Sequence, residues 1–145
     1  MHRNELRGRI RREVNGCVRL LSSFAEACPI NFEHRKELLL AELARADGYV
    51  EDAFRRYLSA LDRTRENGSL YDRGLINERI ADYFEQLGMR EAAKAYLKAA
   101  RSCYAEWNAQ AKVLQLERNH PEIADDKKRE ETQYPNGSSA HESRS

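Results

Sequence analysis

The sequence predicts an all-α protein of about six helices, and three observations point to that class. Apolar residues recur at intervals of three and four through most of the chain, a spacing that gathers side chains on one face of a helix. The 145 residues include only 7 Gly and 3 Pro, and 34% of them are charged, which is typical of helices with solvated outer faces. Two segments, GYVEDAFRRYLSAL from Gly48 and GMREAAKAYLKAAR from Gly88, align without a gap at an offset of 88 − 48 = 40 residues.

The first helix is expected from Asn4 to Cys28, despite Gly8 and Gly16. Its apolar positions are Leu6, Ile10, Val14, Cys17, Val18, Leu21, Phe24 and Ala25. Pro29 stops this helix, because its ring cannot continue the hydrogen-bonded ladder. Arginines cover the outer face, and a solvated face is favoured there over a patch that binds phosphate or nucleic acid, since no aromatic residue interleaves them.

Two shorter helices are expected next. Asn31 is expected to cap a second helix, which begins near Phe32 and ends at the turn formed by Asp47 and Gly48. A third helix is expected over residues 51–66, ended by the Asn-Gly pair that follows it.

A helical hairpin is expected after this pair. Ser69 and Asp72 offer a capping box for a fourth helix, and Gly88 provides the left-handed turn before a fifth helix over residues 91–107. The inward positions are Ile76, Ile80, Tyr83, Phe84 and Leu87 on the fourth helix, and Ala93, Tyr96, Leu97, Ala100, Cys103, Tyr104 and Trp107 on the fifth.

The end of the chain changes character. Asn108 is expected to cap a short sixth helix, which Pro121 ends. From Ala124 onward the sequence is polar and almost free of aliphatic residues. The expected organisation is one helical-repeat domain over residues 4–123 and a disordered polar tail over residues 124–145.

Small residues recur at the 40-residue offset wherever one helix must cross another closely. The pairs are Ala41 with Ala81, Ala53 with Ala93, and Ala60 with Ala100. A repeated Gly turn, a following acidic residue and paired alanines exceed what chance periodicity usually gives. The sequence therefore predicts repeated hairpins, which need neighbours of the same kind to bury their apolar faces.

Composition restricts the partners and the compartment. The 25 basic and 24 acidic residues give a net charge of +1, so no global charge attracts the protein to nucleic acid or to an anionic membrane. No apolar run is long enough to span a bilayer. Three widely spaced cysteines on apolar stripes, Cys17, Cys28 and Cys103, indicate buried thiols in a reducing compartment. These features predict a cytoplasmic protein without a nucleic-acid partner and without membrane insertion.

Motifs for catalysis, cofactor binding and metal binding are missing from the sequence. The chain contains no phosphate-binding loop of the GxxxxGKS or GxxxxGKT type, and no GxGxxG, HExxH or CxxC segment. The histidines His2, His34, His120 and His141 lie far apart in the sequence. No catalytic, cofactor-binding or metal-ligating residue is predicted, and the chain is not expected to be an enzyme.

The small and aromatic residues of the repeat resemble the tetratricopeptide family, whose units are helical hairpins with small residues at the crossing. From Val14 to Ile123, phrases such as CPINFEHRKELLLAELAR, LDRTRENG and LINERIADYFEQLGMREAAKAYLKAARSCYAEW resemble the helical region that follows the AAA-type ATPase in multidomain sensor histidine kinases. The resemblance implies a non-catalytic module for domain arrangement and partner contact in signalling. The alternative is a fragment of a larger ATP-dependent sensor histidine kinase, with its serine/threonine-kinase-like, ATPase, GAF and histidine kinase domains outside this chain.

Stacking of the hairpins into a short solenoid would place polar residues of the first helix of each hairpin on a concave surface. The candidates for holding a protein or peptide partner are Arg35, Glu42, Arg45, Glu78, Asp82 and Glu85. Charge-assisted hydrogen bonds can hold a peptide at such a surface, and an ordinary solvated face is the alternative. The mixed signs leave the partner's charge open, and the oligomeric state is open as well.

Overall fold

The computed structural model describes residues 2–27, 29–67 and 69–124, and the regular structure within these ranges is entirely helical. Its helices are α1 (His2–Ala27), α2 (Pro29–Asp47), α3 (Val50–Asn67), α4 (Leu70–Gln86), α5 (Arg90–Glu106) and α6 (Gln110–Asn119). One further helical turn covers residues 121–124. The predicted all-α class is confirmed for these residues. The predicted tail lies outside them, apart from Ala124.

The start of α2 and the capping of α4 differ from the prediction. Helix α2 begins at Pro29 rather than near Phe32, so Asn31 lies inside the helix and is not its cap. Proline suits the first position of a helix, because the amide N–H there has no partner within the helix. Ser69 is the N-cap residue of α4, as predicted, but its side chain makes no hydrogen bond to the helix amides, so this half of the predicted capping box does not form.

The turns after α2 and α4 have the same geometry. Gly48 and Gly88 adopt left-handed backbone conformations, with φ values of 81° and 78°. The Tyr49 amide donates to the Ala44 carbonyl at 2.9 Å, and the Met89 amide donates to the Phe84 carbonyl at 2.8 Å. This hydrogen bond across a left-handed glycine is the one that ends many helices. The 40-residue repeat of the sequence is therefore also a repeat of turn structure.

Asn108 makes a third turn of this kind. Its φ is 63°, and the following Ala109 amide donates to the Tyr104 carbonyl at 2.8 Å. Asparagine tolerates the left-handed region better than most residues with a side chain. The prediction that Asn108 caps α6 is wrong, because Asn108 ends α5 and Ala109 holds the N-cap position.

The core lies between α2, α3, α4, α5 and α6. One cluster of buried residues comprises Ala41, Ala44, Ala53, Tyr57, Ala60, Ile76, Ile80 and Tyr83. A second comprises Ala81, Leu97, Ala100, Tyr104, Val113, Leu116 and Ile123. All six alanines paired by the repeat are at most 1% exposed. The predicted small residues at close crossings are thus confirmed as buried, and each helix packs chiefly on its neighbours in the sequence.

Helix α1 differs from the other helices, because none of its described side chains is buried. Leu6, Ile10 and Leu20 are 57%, 50% and 57% exposed. Cys17 is exposed as well, so its prediction as a buried thiol is wrong. The physical reason is that α1 packs on one side only, against α2. Cys103 is buried as predicted, and Cys28 lies outside the described residues.

Trp107 also departs from its predicted inward position. It is 54% exposed at the C-terminal end of α5, where its ring lies 5.1 Å from that of Tyr71, centroid to centroid. The left-handed turn begins directly after Trp107, so the Trp107 side chain lies beyond the edge of the core.

Among the described helices, none has the length and apolar character needed to cross a bilayer.

Candidate functional site

The six charged residues predicted to hold a partner lie on α2 and α4, and each of them pairs with a residue outside its own helix. We call the surface that they form the polar face. It consists of Arg35, Glu42 and Arg45 of α2 and of Glu78, Asp82 and Glu85 of α4. Spacings of three, four and seven residues place these side chains on one side of each helix. The structure therefore brings the candidates together, and it joins Arg45 directly to Asp82.

The tightest contact on the polar face joins Glu42 of α2 to Arg79 of α4. Two parallel hydrogen bonds form it: Arg79 Nε donates to Glu42 Oε1 at 2.6 Å, and Arg79 Nη2 donates to Oε2 at 2.9 Å. Bidentate pairs of this kind fix geometry as well as adding energy. The hydrogen bonds that Arg79 donates to Glu42 raise the pKa of Arg79. Arg79 was not among the residues predicted to hold a partner, although it lies three residues before Asp82.

Arg45 makes a second contact between the same helices. Its Nη2 donates to Asp82 Oδ2 at 2.8 Å, and its Nε donates to the Gln86 side-chain carbonyl at 3.1 Å. Its guanidinium carbon lies 4.7 Å from the centre of the Tyr83 ring, within the range of a cation–π contact. The pair of Arg45 with Asp82 and the pair of Glu42 with Arg79 both span 37 residues. This constant separation indicates that α2 and α4 run side by side in the same direction.

A third contact lies nearer the start of α2 and α4. His34 Nε2 and Asp72 Oδ2 are 2.6 Å apart, and the His34 side chain is only 3% exposed. Arg35 Nη2 lies 3.5 Å from the same carboxylate oxygen. Hydrogen bonding to His34 is the main reason why the pKa of Asp72 is lowered. Asp72 therefore joins two helices, a role that the predicted capping box did not include.

The polar face continues from α4 to α6. Lys112 Nζ lies 3.4 Å from Glu78 Oε1, and His120 Nδ1 lies 3.5 Å from Glu85 Oε1. The carboxylate of Glu122 is 3.6 Å from the same His120 nitrogen. One ligand atom from each of Glu85, His120 and Glu122 lies within 4.8 Å of the others, so this is the set of described residues that could hold a metal ion. The spacing of residues in the sequence did not predict this set, because Glu85 lies on α4 whereas His120 and Glu122 follow α6.

Two recesses border the polar face. The smaller, of about 160 Å³, is lined mainly by charged residues of α4 together with Leu97 and His120. Its size suits one polar side chain of a partner. The larger, of about 710 Å³, opens between α1 and α2, where Arg11 and Asp47 form an ion pair. The exposed ends of the face are Arg35, Asp82 and Glu85, whose side chains are 55%, 55% and 40% exposed.

Three buried groups, Cys103, Tyr57 and Tyr104, have raised pKa values, which favours their neutral forms. Burial raises the pKa of the Cys103 thiol, which lowers the fraction of reactive thiolate. Burial also raises the pKa of Tyr57 to about 12. For Tyr104, burial and the neighbouring Glu78 raise the pKa in the same direction. Such groups pack the core, and these shifts do not prepare them for acid or base chemistry near neutral pH.

Comparisons with protein-family models, with curated proteins and with solved structures find no match for this chain.

Proposed function

We propose that this chain is a non-catalytic interaction module, built from tetratricopeptide-like hairpins stacked as a short solenoid, that holds a protein or peptide partner on the polar face. We place it in a cytoplasmic signalling assembly, as the sequence resemblance implies. The single observation that supports the proposal best is the repeated hairpin. Its two copies share a left-handed Gly turn, the same turn hydrogen bonds and buried alanines at equivalent positions. Repeats of this kind form extended surfaces rather than deep pockets.

The ion pairs of the polar face suit this role. They hold α2 and α4 at a fixed separation, so the surface is formed before a partner arrives and less ordering free energy is lost on binding. Arg35, Asp82 and Glu85 keep much of their surface in solvent. A partner with both positive and negative side chains can bond to these exposed ends without breaking the bidentate pair of Glu42 with Arg79.

The test compares two double variants that leave net charge unchanged. Arg35→Glu with Glu85→Arg alters the polar face, whereas Glu106→Arg with Arg118→Glu alters exposed residues elsewhere. Partners of the full chain are first captured from a lysate of its source and identified by mass spectrometry. We expect one defined partner to be lost with the first variant and kept with the second. With that partner purified, Kd should rise about tenfold for the first variant, which corresponds to ~1.4 kcal/mol.

Equal retention of that partner by both variants would contradict the role of the polar face. Equal loss by both would also contradict it, since a general change of surface charge would then explain the result. Circular dichroism of each variant shows whether the helices remain, so that a folding defect is not mistaken for lost recognition.

The alternative function is that of a segment within a larger ATP-dependent sensor histidine kinase. What supports it is the sequence resemblance over Val14 to Ile123, which spans most of the helical part of the chain. Reading the gene on both sides of this frame tests it directly. Continuous ATPase, GAF and histidine kinase codons would support the segment, and stop codons close to both ends would contradict it.

A further inference from the structure

Three side chains with metal-ligating atoms converge where α4 and α6 end. We define the terminal cluster as Glu85, His120 and Glu122. We propose that the terminal cluster binds a divalent transition-metal ion of the Zn²⁺ type, through the Nδ1 atom of His120 and one carboxylate oxygen of each glutamate. Glu85 also belongs to the polar face, but the proposal concerns the chain alone and does not depend on the proposed function.

The distances within the terminal cluster are those of metal ligands rather than of hydrogen bonds. His120 Nδ1 lies 3.5 Å from Glu85 Oε1 and 3.6 Å from Glu122 Oε1. A hydrogen bond from a charged N–H to a carboxylate is shorter, about 2.7–2.9 Å, and a ring nitrogen has only one N–H to donate. Bonds of about 2.0–2.2 Å to Zn²⁺ place two ligands of a tetrahedron about 3.4 Å apart. Both carboxylate oxygens therefore lie near the separation from Nδ1 that one shared ion requires.

The donor atoms indicate the class of ion. Imidazole nitrogen and carboxylate oxygen are both ligands of Zn²⁺, whereas Mg²⁺ and Ca²⁺ prefer oxygen ligands alone. Three protein ligands leave the fourth position of a tetrahedral site open. Glu85 and His120 both line the recess of about 160 Å³ beside the polar face. Water, or a donor atom of a partner, can reach the open position through this recess.

Charge at the terminal cluster also favours a cation. Two carboxylates face one imidazole, so even a protonated His120 leaves one negative charge unbalanced within the cluster. Glu85 lies one residue before the end of α4, and His120 is the C-cap residue of α6. The last carbonyl groups of a helix carry partial negative charge and attract cations. The ends of two helices therefore add to the attraction of the carboxylates.

The other charged residues that line the recess already have partners. The pairs are Glu78 with Lys112, Arg79 with Glu42, and Asp82 with Arg45. None of these three pairs includes a residue of the terminal cluster. The basic side chains of these pairs therefore do not balance the charge of Glu85 and Glu122.

The backbone holds the ligands in place before an ion arrives. The His120 amide donates to the Leu116 carbonyl at 2.8 Å, and the Ile123 amide donates to the His120 carbonyl at 3.1 Å. Ile123 is 3% exposed and belongs to the second core cluster. The helical turn over residues 121–124 is thus anchored beside α6, and little chain has to be ordered when the ion binds. A bound ion would join this turn to α4.

The test titrates Zn²⁺ into the metal-free full chain near neutral pH and follows the heat of binding. We expect a saturable site for one Zn²⁺ per chain, with Mg²⁺ bound at least about tenfold more weakly. Glu85→Gln and His120→Gln should each raise the Kd for Zn²⁺ by about tenfold or more, because even groups that only orient a metal ligand contribute 10–100-fold. The matched control is His2→Gln with Glu106→Gln, which removes an exposed histidine and an exposed glutamate elsewhere and should leave Kd unchanged.

Two further measurements separate the terminal cluster from other causes. Zn²⁺ at about 100 times its Kd should raise the Tm of the wild type by about 5 °C or more. At the same concentration, Glu85→Gln should show about half that rise or less, since its Kd is higher. The absorption spectrum of the Co²⁺ form shows whether a thiolate is a ligand, because a cobalt–thiolate bond gives a charge-transfer band in the near ultraviolet. We expect no such band.

Several outcomes would overturn the proposal. Absence of Zn²⁺ binding would remove the site, and equal affinities for Zn²⁺ and Mg²⁺ would reduce it to an acidic surface without selectivity. Equal weakening by the control variant and by the ligand variants would assign the binding to scattered surface groups. A thiolate band in the Co²⁺ form would assign it to a cysteine. No partner protein is present in these experiments, so their failure would leave the proposed function of the polar face untouched.

Discussion

Helices α1 and α3 show how the same spacing of side chains leads to different burial. Residue 17 of α1 corresponds to residue 57 of α3 in the repeat, yet Cys17 is exposed and Tyr57 is 0% exposed. Leu20 is 57% exposed, and its counterpart Ala60 is 0% exposed. Helix α3 packs on both α2 and α4, whereas α1 packs on α2. An apolar stripe therefore specifies a helix, while burial also requires a neighbour on that side.

Polar side-chain pairs on α1 and between α2 and α4 differ in the same way. The pair of Arg9 with Glu13 lies within α1, and both side chains are largely in solvent. The pair of His34 with Asp72 joins two helices, and its side chains are 3% and 16% exposed. An exposed pair within one helix contributes a few tenths of a kcal/mol. A nearly buried pair between helices fixes their relative position, and its loss costs more.

The largest expected effect comes from truncating the two residues related by the repeat. Tyr57→Ala removes a fully buried ring and leaves a cavity, so the free energy of unfolding should fall by ~3–5 kcal/mol. Cys17→Ala, 40 residues earlier at the same repeat position, should change it by less than ~0.5 kcal/mol. Urea denaturation followed by circular dichroism measures both. Similar losses for the two variants would mean that α1 is covered as completely as α3, and the comparison would fail.

The sequence predicted the helices and their turns well, because both depend on local signals. Apolar periodicity located α1 to α6 but not the helical turn over residues 121–124, and Gly48 and Gly88 have the left-handed conformation expected of them. The start of α2 was misplaced, because asparagine is a common cap and its signal outweighed the proline before it. Asn108 was misread for the same reason, since asparagine serves both as a cap and as a left-handed turn residue.

The polar face was predictable only in part. Helical spacing placed Arg45 and Asp82 on the correct sides of their helices. It did not predict that they bond to each other, or that Arg79 and Asp72 take part, because these contacts depend on the separation of α2 and α4 in space. The convergence of Glu85 with His120 was missed for the same reason. Burial along α1 was also overestimated, since periodicity does not show whether a second neighbour exists.

The second prediction tests the nearly buried pair of His34 with Asp72. Asp72→Asn removes the charge beside His34, and the free energy of unfolding at about pH 7 should fall by ~1–2 kcal/mol. The pKa of Asp72 in the folded protein is lowered from its usual value of 3.8. The ionised carboxylate therefore stabilises the fold at pH values above the pKa of Asp72 in the unfolded chain. This stabilisation is lost as the pH falls through the lower pKa that Asp72 has in the folded protein. The difference between wild type and variant should shrink below about pH 4.

The matched control for this pair is Glu13→Gln in α1. Because its partner Arg9 is exposed, the variant should change the free energy of unfolding by less than ~0.5 kcal/mol near neutral pH. Urea denaturation of all three proteins between about pH 3 and pH 7 measures both effects. A difference for Asp72→Asn that is constant over this range would show that the lost stability does not come from the ionised carboxylate.

The smallest expected effect is that of replacing two glycines by alanine. The change in the free energy of unfolding should have opposite signs in α4 and in α1. A Cβ added at Gly74 of α4 would lie 2.7 Å from the ring carbon Cε1 of Tyr104, which is fully buried and cannot move freely. Overpacking costs ~1–3 kcal/mol, whereas the higher helix propensity of alanine stabilises the fold by about 1 kcal/mol. Gly74→Ala should therefore destabilise the fold by about 1 kcal/mol. At Gly16 of α1 the added Cβ meets no atom within 4 Å. Gly16→Ala should therefore gain the propensity alone and stabilise the fold by ~0.5–1 kcal/mol. Thermal unfolding of the two variants beside wild type measures the signs directly, and a loss of stability for Gly16→Ala would reveal a close neighbour of α1 at this position.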